Sequence, residues 1–218
     1  MKRKFLSCLP LFALCLPTSG QDAATRTSEG LQTLYDFSSA NGDVIRDKAG
    51  DNDLKIGKPN AVKRASGSLE ITASPAIRSV KPMRGLVEAV RKSGEFTIEA
   101  WIRPANTSQE GPARIVSLSK DANSRNFTLG QEKSKWDVRF LTTQTGRNGT
   151  PSLFAGGLNT ELTHVVYTQE NSGRIRLFVN GKTVADRKLD GDTSNWEPNL
   201  HLALGDEHSG SRLWKGTF

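Results

Sequence analysis

The sequence predicts an all-β fold of antiparallel strands, a sandwich or a barrel, and three observations carry that reading. Arg174–Val179 and Lys182–Ala185 are alternating runs joined by Asn180-Gly181, a pair that tolerates positive φ and so suits the type I′ turn of a β-hairpin. Phe96-Thr97-Ile98-Glu99-Ala100-Trp101-Ile102 alternates with the same period of two, and Thr163–Thr168 supplies another strand just before the hairpin. Short runs of this kind recur at roughly 8–12 residues, separated by Gly, Asn and Asp, as in sandwiches and barrels.

In chain order, Leu31–Phe37 suits a first strand through Leu34, Tyr35 and Phe37. Asn41–Asp53, with Gly42, Gly50 and its aspartates, reads as a loop, and Leu54–Ile56 as a short strand after it. Ser68–Thr72 and Ile77–Val80 are strands flanked by turns. Leu86–Arg91 is the one helical turn, with Leu86, Val87 and Val90 on one side. The central strands follow at Glu95–Arg103, Arg114–Ser119, Asn126–Gln131 and Lys135–Thr142, then an apolar patch at Leu153-Phe154. Leu162–Gln169, Arg174–Val179, Thr183–Lys188 and His201–Leu204 complete the set.

Several of these runs carry a family likeness: FTIEAWIRP (Phe96–Pro104), GPARIVSLSKD (Gly111–Asp121), NFTLGQ (Asn126–Gln131), THVVYT (Thr163–Thr168), LFVNGK (Leu177–Lys182) and LALGDE (Leu202–Glu207). In this order they resemble a bacterial laminin-G-like domain of the concanavalin A-like lectin/glucanase superfamily, over about Gly30–Phe218. The resemblance implies a two-sheet antiparallel jelly-roll sandwich, an architecture shared by sugar binders, adhesion modules, spacers and some glycosidases, so it does not fix an activity. It also implies a further strand, a Tyr-containing apolar segment and an amphipathic tail after the position of Phe218. The domain is therefore expected to lack its last strand, and the natural chain to be longer, because an unpaired sheet edge is an aggregation hazard.

Lys2, Arg3 and Lys4 precede the apolar run Phe5–Leu16 and the small residues up to Gly20. This pattern predicts a signal peptide over residues 1–20 and an exported protein, whether periplasmic, cell-surface or secreted. The run is shorter than the ~20 apolar residues of a spanning helix and is interrupted by Pro10, so no stable membrane insertion is expected once the leader is removed. Gln21–Glu29 is polar and reads as a disordered lead-in. Cys8 and Cys15 both lie in the leader, which leaves the mature chain without disulfides, and the remainder is the size of one β-sandwich domain. After the leader, 27 Lys and Arg against 23 Asp and Glu leave a net charge of +4. The basic residues occur singly, which excludes a nucleic-acid-binding stripe as the basis of function.

Glycosidases of this superfamily set two carboxylates on one strand face, and a retaining mechanism needs them ~5–5.5 Å apart. In Glu95–Arg103 the face with Thr97, Glu99 and Trp101 has one carboxylate, Glu99, while Glu95 belongs to the other face. No catalytic residue is assigned, and glycoside hydrolysis ranks third among the functional readings. His164 reads as a partly buried structural histidine, and His208, in Asp206-Glu207-His208-Ser209-Gly210, as an exposed one within reach of a ligand.

Sugar recognition combines an aromatic platform with planar polar partners. Trp136 with Arg139, the loop tryptophans Trp196 and Trp214, and Arg147 of Arg147-Asn148-Gly149 are the candidates. Trp136 shares a face with Val138 and Phe140, which turns it toward the core, and Trp101 is read the same way. Trp196, between Asn195 and Glu197 and just before Pro198, is expected to be the exposed platform. Asp43, Asp47, Asp51 and Asp53 in a glycine-bearing loop are candidate calcium ligands, since calcium takes hard oxygens in flexible arrays. Arg46 and Lys48 are placed to neutralise that cluster. The leading expectation is an exported, non-catalytic binding or adhesion module for a glycan; the alternative is a structural or accessory domain that contacts another extracellular protein.

Overall fold

Asn180 and Gly181 have φ of +50° and +76°, the left-handed pair of a type I′ turn, and Val179 pairs with Lys182 around them. This hairpin belongs to a sandwich seen in a computed structural model that describes residues 28–218. The predicted signal peptide and residues 21–27 of the lead-in lie outside the described residues. Leu31–Phe218 forms one compact unit.

Its strands are β1 (Val44–Ile45), β2 (Leu54–Ile56), β3 (Val62–Ala65), β4 (Ser68–Ile71) and β5 (Ile77–Ser79), followed after the helix α1 (Arg84–Ser93) by β6 (Phe96–Pro104). Then come β7 (Ala113–Asp121), β8 (Ser124–Glu132), β9 (Lys135–Phe140), β10 (Leu153–Gly156) and β11 (Thr163–Gln169). The last four are β12 (Arg174–Val179), β13 (Lys182–Lys188), β14 (Leu202–Leu204) and β15 (Gly216–Thr217). One sheet runs β1-β2-β5-β14-β7-β8-β9-β10 and the other β13-β12-β11-β6-β15-β4-β3. Their ladders are antiparallel, as in the central pairs β7 with β8 and β6 with β11. The fold is the two-sheet jelly-roll sandwich that the sequence predicts.

Alternation decides what lies between the sheets. Phe96 and Ile102 of β6, Val165 and Tyr167 of β11, and Ile175 and Leu177 of β12 meet Val116, Leu118, Phe127, Leu129, Val138 and Phe140 of the opposing sheet. Phe96, Phe127, Phe140 and Trp196 form a ring cluster with centroids 4.7–6.1 Å apart, an arrangement of tilted and edge contacts that aromatic quadrupoles favour. The helix α1 closes this end of the core with Leu86, Val87 and Val90, and stops at Gly94, whose φ of +70° and N–H bond to Val90 O make a left-handed cap.

Two predictions need amendment. Leu31–Phe37 is irregular rather than a strand: Asp47 Oδ1 accepts the Leu34 N–H at 2.9 Å, Tyr35 Oη donates to Asn52 O at 2.6 Å, and Phe37 has a φ of +51° that breaks extension. At the other end, Gly216 and Thr217 enter the second sheet between β4 and β6, opposite Ile71 and Glu70 on one side and Pro104 and Arg103 on the other. A Cβ on Gly216 would fall 2.4 Å from the Trp214 ring, so only glycine lets the strand pass over that side chain.

Candidate functional site

The aromatic residue that reaches solvent is not the one the sequence singles out. Trp196 is fully buried, its Nε1 donating to Leu141 O at 2.8 Å beneath the neighbouring loop. Trp214 is buried as well, with Nε1 donating to Gln131 Oε1 at 3.0 Å. Trp136 is 1% exposed and lies with Val138 and Phe140 in the core, as its alternation indicates. Trp101, expected inside, is 55% exposed. The reason is register: Phe96, Ile98, Ala100 and Ile102 take the inward positions of β6, and period two then sends Thr97, Glu99 and Trp101 outward.

On that outward face Trp101 sits opposite His164 of β11, and the two rings stack with centroids 4.7 Å apart and planes 18° from parallel. His164 Nε2 donates to Glu99 Oε1 at 2.9 Å. The imidazole is thus held flat beneath one edge of the indole by a carboxylate two residues along the same strand. Asn180 of the hairpin fixes the other side, its Oδ1 accepting the His164 N–H at 2.9 Å. Val166 lies opposite Glu99 and Phe178 opposite Val166, so the half-buried apolar surface continues across β12, where Arg176 stands over the Phe178 ring at 5.8 Å. The result is a flat aromatic platform bordered by a carboxylate and a guanidinium, able to stack on the apolar face of a ring and to bond its hydroxyls.

The outward face of the other sheet carries a sealed layer of charge. Arg114 of β7 lies opposite Gly130 and that glycine opposite Asp137, while Thr128 lies opposite Ser117 and Arg139. Loop 205–212 folds back over this face and delivers Glu207, whose carboxylate accepts from Ser119 Oγ at 2.8 Å and from Arg114 Nε at 3.3 Å. Asp206 beside it accepts from Arg78 Nη1 at 2.6 Å. Arg139 pairs with Asp137 at 3.2 Å and donates to Asn148 Oδ1 at 3.1 Å, so this predicted ligand residue is occupied within the protein. Burial holds Arg114 down to about 10 in pKa, against the opposing pull of Glu207.

Arg125 ends this layer and lines a cleft of about 310 Å³ formed by the β7–β8 turn, the loop after β9 and the Asn195–Leu200 segment. Arg147 lines the same cleft with Lys120, Asn195 and Glu197. Asn126 locks the rim by accepting the Glu197 N–H and donating to Glu197 O, both at 2.9 Å. The cleft therefore unites Arg147 with the chain neighbours of Trp196, while Trp196 itself lies beneath. His208 is exposed on loop 205–212, away from the lining of this cleft, and its Nε2 donates to His201 O at 3.3 Å.

The four aspartates do not converge. Asp47 Oδ1 accepts from Leu34 N and Ala49 N, each at 2.9 Å, and Oδ2 accepts from Asn52 N at 3.1 Å. Asp43 pairs with Lys55, Asp51 with Lys81 and Asp53 with Arg46. Hydrogen bonds from Lys55 to Asp43, from Lys81 to Asp51 and from Asp47 N–H to Asp53 hold those three carboxyls below the usual range. Among the described residues no three acidic, histidine or cysteine side chains gather at one point. A calcium cage needs oxygens facing a common centre, and these residues as arranged do not fit one.

The sequence matches no curated protein. Among solved structures it is similar to Trypanosoma rangeli sialidase in complex with 2,3-difluorosialic acid, with a TM-score of 0.59 and 15% identity over 83% of this chain and 28% of that one. It is also similar to a botulinum neurotoxin type C structure titled for the dependence of cell entry on two ganglioside molecules, with TM-score 0.61 and 13% identity over 88% of this chain and 47% of that one. A third is the binding domain of botulinum neurotoxin DC in complex with rat synaptotagmin II, with TM-score 0.58 and 13% identity over 79% and 43%. The chain thus spans less than half the length of each, and at these identities the likeness is one of fold. A laminin-G-type family model described as the Concanavalin A-like lectin/glucanases superfamily matches residues 84–218, which includes both the platform and the cleft. The chain belongs to the concanavalin A-like lectin/glucanase superfamily.

Proposed function

We propose that this protein is an exported, non-catalytic carbohydrate-binding module, with the outward face of β6, β11 and β12 as its binding surface. The observation that carries this reading is the 55% exposed Trp101 ring, stacked on His164 and bordered by Glu99. An exposed aromatic plane desolvates the C–H face of a pyranose while the carboxylate accepts from its hydroxyls. Glycan and ganglioside complexes among the structural neighbours support the class of ligand. The non-catalytic part of the proposal is supported by Glu99 being the one carboxylate on the outward face of β6, where retaining hydrolysis needs two. Export is supported by the basic, apolar and small-residue order of residues 1–20.

A glycan array with the wild-type chain and Trp101→Ala tests this. Binding that falls about 30-fold or more in the variant, the loss of a typical hot-spot aromatic, with an unchanged melting temperature, supports the platform; silence across neutral and acidic glycans removes it. A protein partner is the second reading, supported by the synaptotagmin complex of one structural neighbour, and retention of a partner by a glycan-silent protein would favour it.

A further inference from the structure

Three guanidinium groups share the outward face of the eight-stranded sheet, and only two have a carboxylate. Arg114 pairs with Glu207 and Arg139 with Asp137. Arg125 is 1% exposed, donates to Ala122 O and, at 3.3 Å, to Thr128 Oγ1, and its Nε has no hydrogen-bond partner. Burying a cation without a counter-charge is costly. Burial first, then the charges of Arg114 and Arg139, push Arg125 down to about 9, which still leaves it charged at neutral pH.

The open side of this cation is the 310 Å³ cleft. Two more cations stand on its lining, Lys120 and Arg147, both exposed and, among the described residues, in no ion pair. Glu197 is the single carboxylate of the lining. A positive, low-dielectric concavity of this kind focuses field on an incoming anion, and its volume is at the small end of ligand pockets, the size of one sugar ring rather than a chain. The platform of Trp101 is on the other sheet, so the two sites are separate.

We propose that this cleft is an oxyanion-binding site that seats the carboxylate or sulfate of an acidic sugar residue between Arg147 and Lys120, above the buried Arg125. Anion binding here follows from the charges of the cleft alone; the saccharide part rests on the glycan-binding reading. Planar guanidinium at Arg147 suits two-point contact with such a group, and Asn195 is placed to bond adjacent hydroxyls.

The test is a titration followed by NMR at constant ionic strength with sodium sulfate, glucuronate and glucose in turn, on wild type, Arg147→Ala, Lys120→Ala, Glu197→Gln and Trp101→Ala. Sulfate and glucuronate are expected to shift resonances around Arg125 and Arg147, and glucose not to. Arg147→Ala and Lys120→Ala, both exposed positions, should each weaken anion binding about tenfold, Glu197→Gln should strengthen it about threefold, and Trp101→Ala should leave it unchanged. Affinity should fall as ionic strength rises. Glucuronate bound more tightly than sulfate supports the whole assignment; equal affinities support the anion site and overturn its saccharide part. No response to either anion at about 10 mM, far above the concentration at which a useful site fills, or a response unaltered in both Arg147→Ala and Lys120→Ala, overturns the site, whatever becomes of the Trp101 platform.

Discussion

The Trp101 indole lies on the His164 imidazole at 4.7 Å and 18° from parallel, and His164 is held there by Glu99. The histidine thus acts as a support for the platform, fixing the indole plane before a ligand arrives and reducing the rotamer freedom lost on binding. His164→Ala is expected to weaken glycan binding about three- to tenfold, less than removal of Trp101, because the platform stays but loses its backing. Calorimetric titration with an array-identified glycan measures this; an unchanged affinity would show that the stack has no part in recognition.

Trp196 gives the opposite expectation. It is fully buried, touches Phe96, Phe127 and Phe140, and donates to Leu141 O. Trp196→Ala should cost about 3–5 kcal/mol of stability, the usual range for removing a buried large aromatic. Urea unfolding with fluorescence detection checks the figure, and a loss under about 1 kcal/mol would mean that the cluster does not close this end of the core. Any loss of binding in that variant reports on folding.

These two tryptophans show which part of the molecule was legible in the chain. The Asn180-Gly181 turn, the β6 alternation and the burial of Trp136 followed from local period and turn chemistry, and each appears as read. The exposure of Trp101 was written in the same alternation, since it shares a face with Thr97 and Glu99, but a large aromatic was assigned to the core by type rather than by phase. The burial of Trp196 depends on loops brought together by the topology. The same is true of the charged layer: Glu207 reaches Arg114 across 93 residues of sequence, and no local pattern announces that loop 205–212 will cover a sheet face. The missing partner of Arg125 is visible only when every carboxylate of that face has been placed.

Tyr167 is 1% exposed and its hydroxyl has no hydrogen-bond partner; burial pushes its pKa well up. The ring packs against Phe96 and Phe140, contacts that phenylalanine would keep. Removing an unsatisfied buried hydroxyl relieves its desolvation cost, so Tyr167→Phe should stabilise the protein by about 1 kcal/mol. A higher urea midpoint with an unchanged slope is the expected result, and destabilisation would reveal a partner such as a buried water.

Asp47 organises its loop by accepting three backbone N–H groups, which occupy the lone pairs a cation would take. Millimolar calcium and chelator should therefore give the same melting temperature to within about 1 °C, while Asp47→Ala should lose about 2–3 kcal/mol by orphaning those donors. A calcium-dependent rise of several degrees would show that the loop rearranges around the ion.

His208 supplies a pH dependence whose sign can be worked out. Its pKa lies below the ordinary 6.5, through burial first and then the charge of Arg78, with His201 opposing ionisation and the Glu207 carboxylate and the His201 carbonyl favouring it. Below about pH 6.5 the unfolded chain takes up a proton at this residue that the folded chain refuses, so its contribution to stability falls as the pH drops and is flat above about pH 7.5. His208→Gln retains a donor for His201 O and removes the titration. Urea midpoints between about pH 7.5 and 5.5, above the range in which the carboxylates protonate, should decline in wild type and decline less in the variant. Equal slopes would mean that the imidazole is solvated and that loop 205–212 does not desolvate it. In that case the cover over Glu207 and Arg114 would be looser than their buried contacts imply, and the charged layer would be open to solvent.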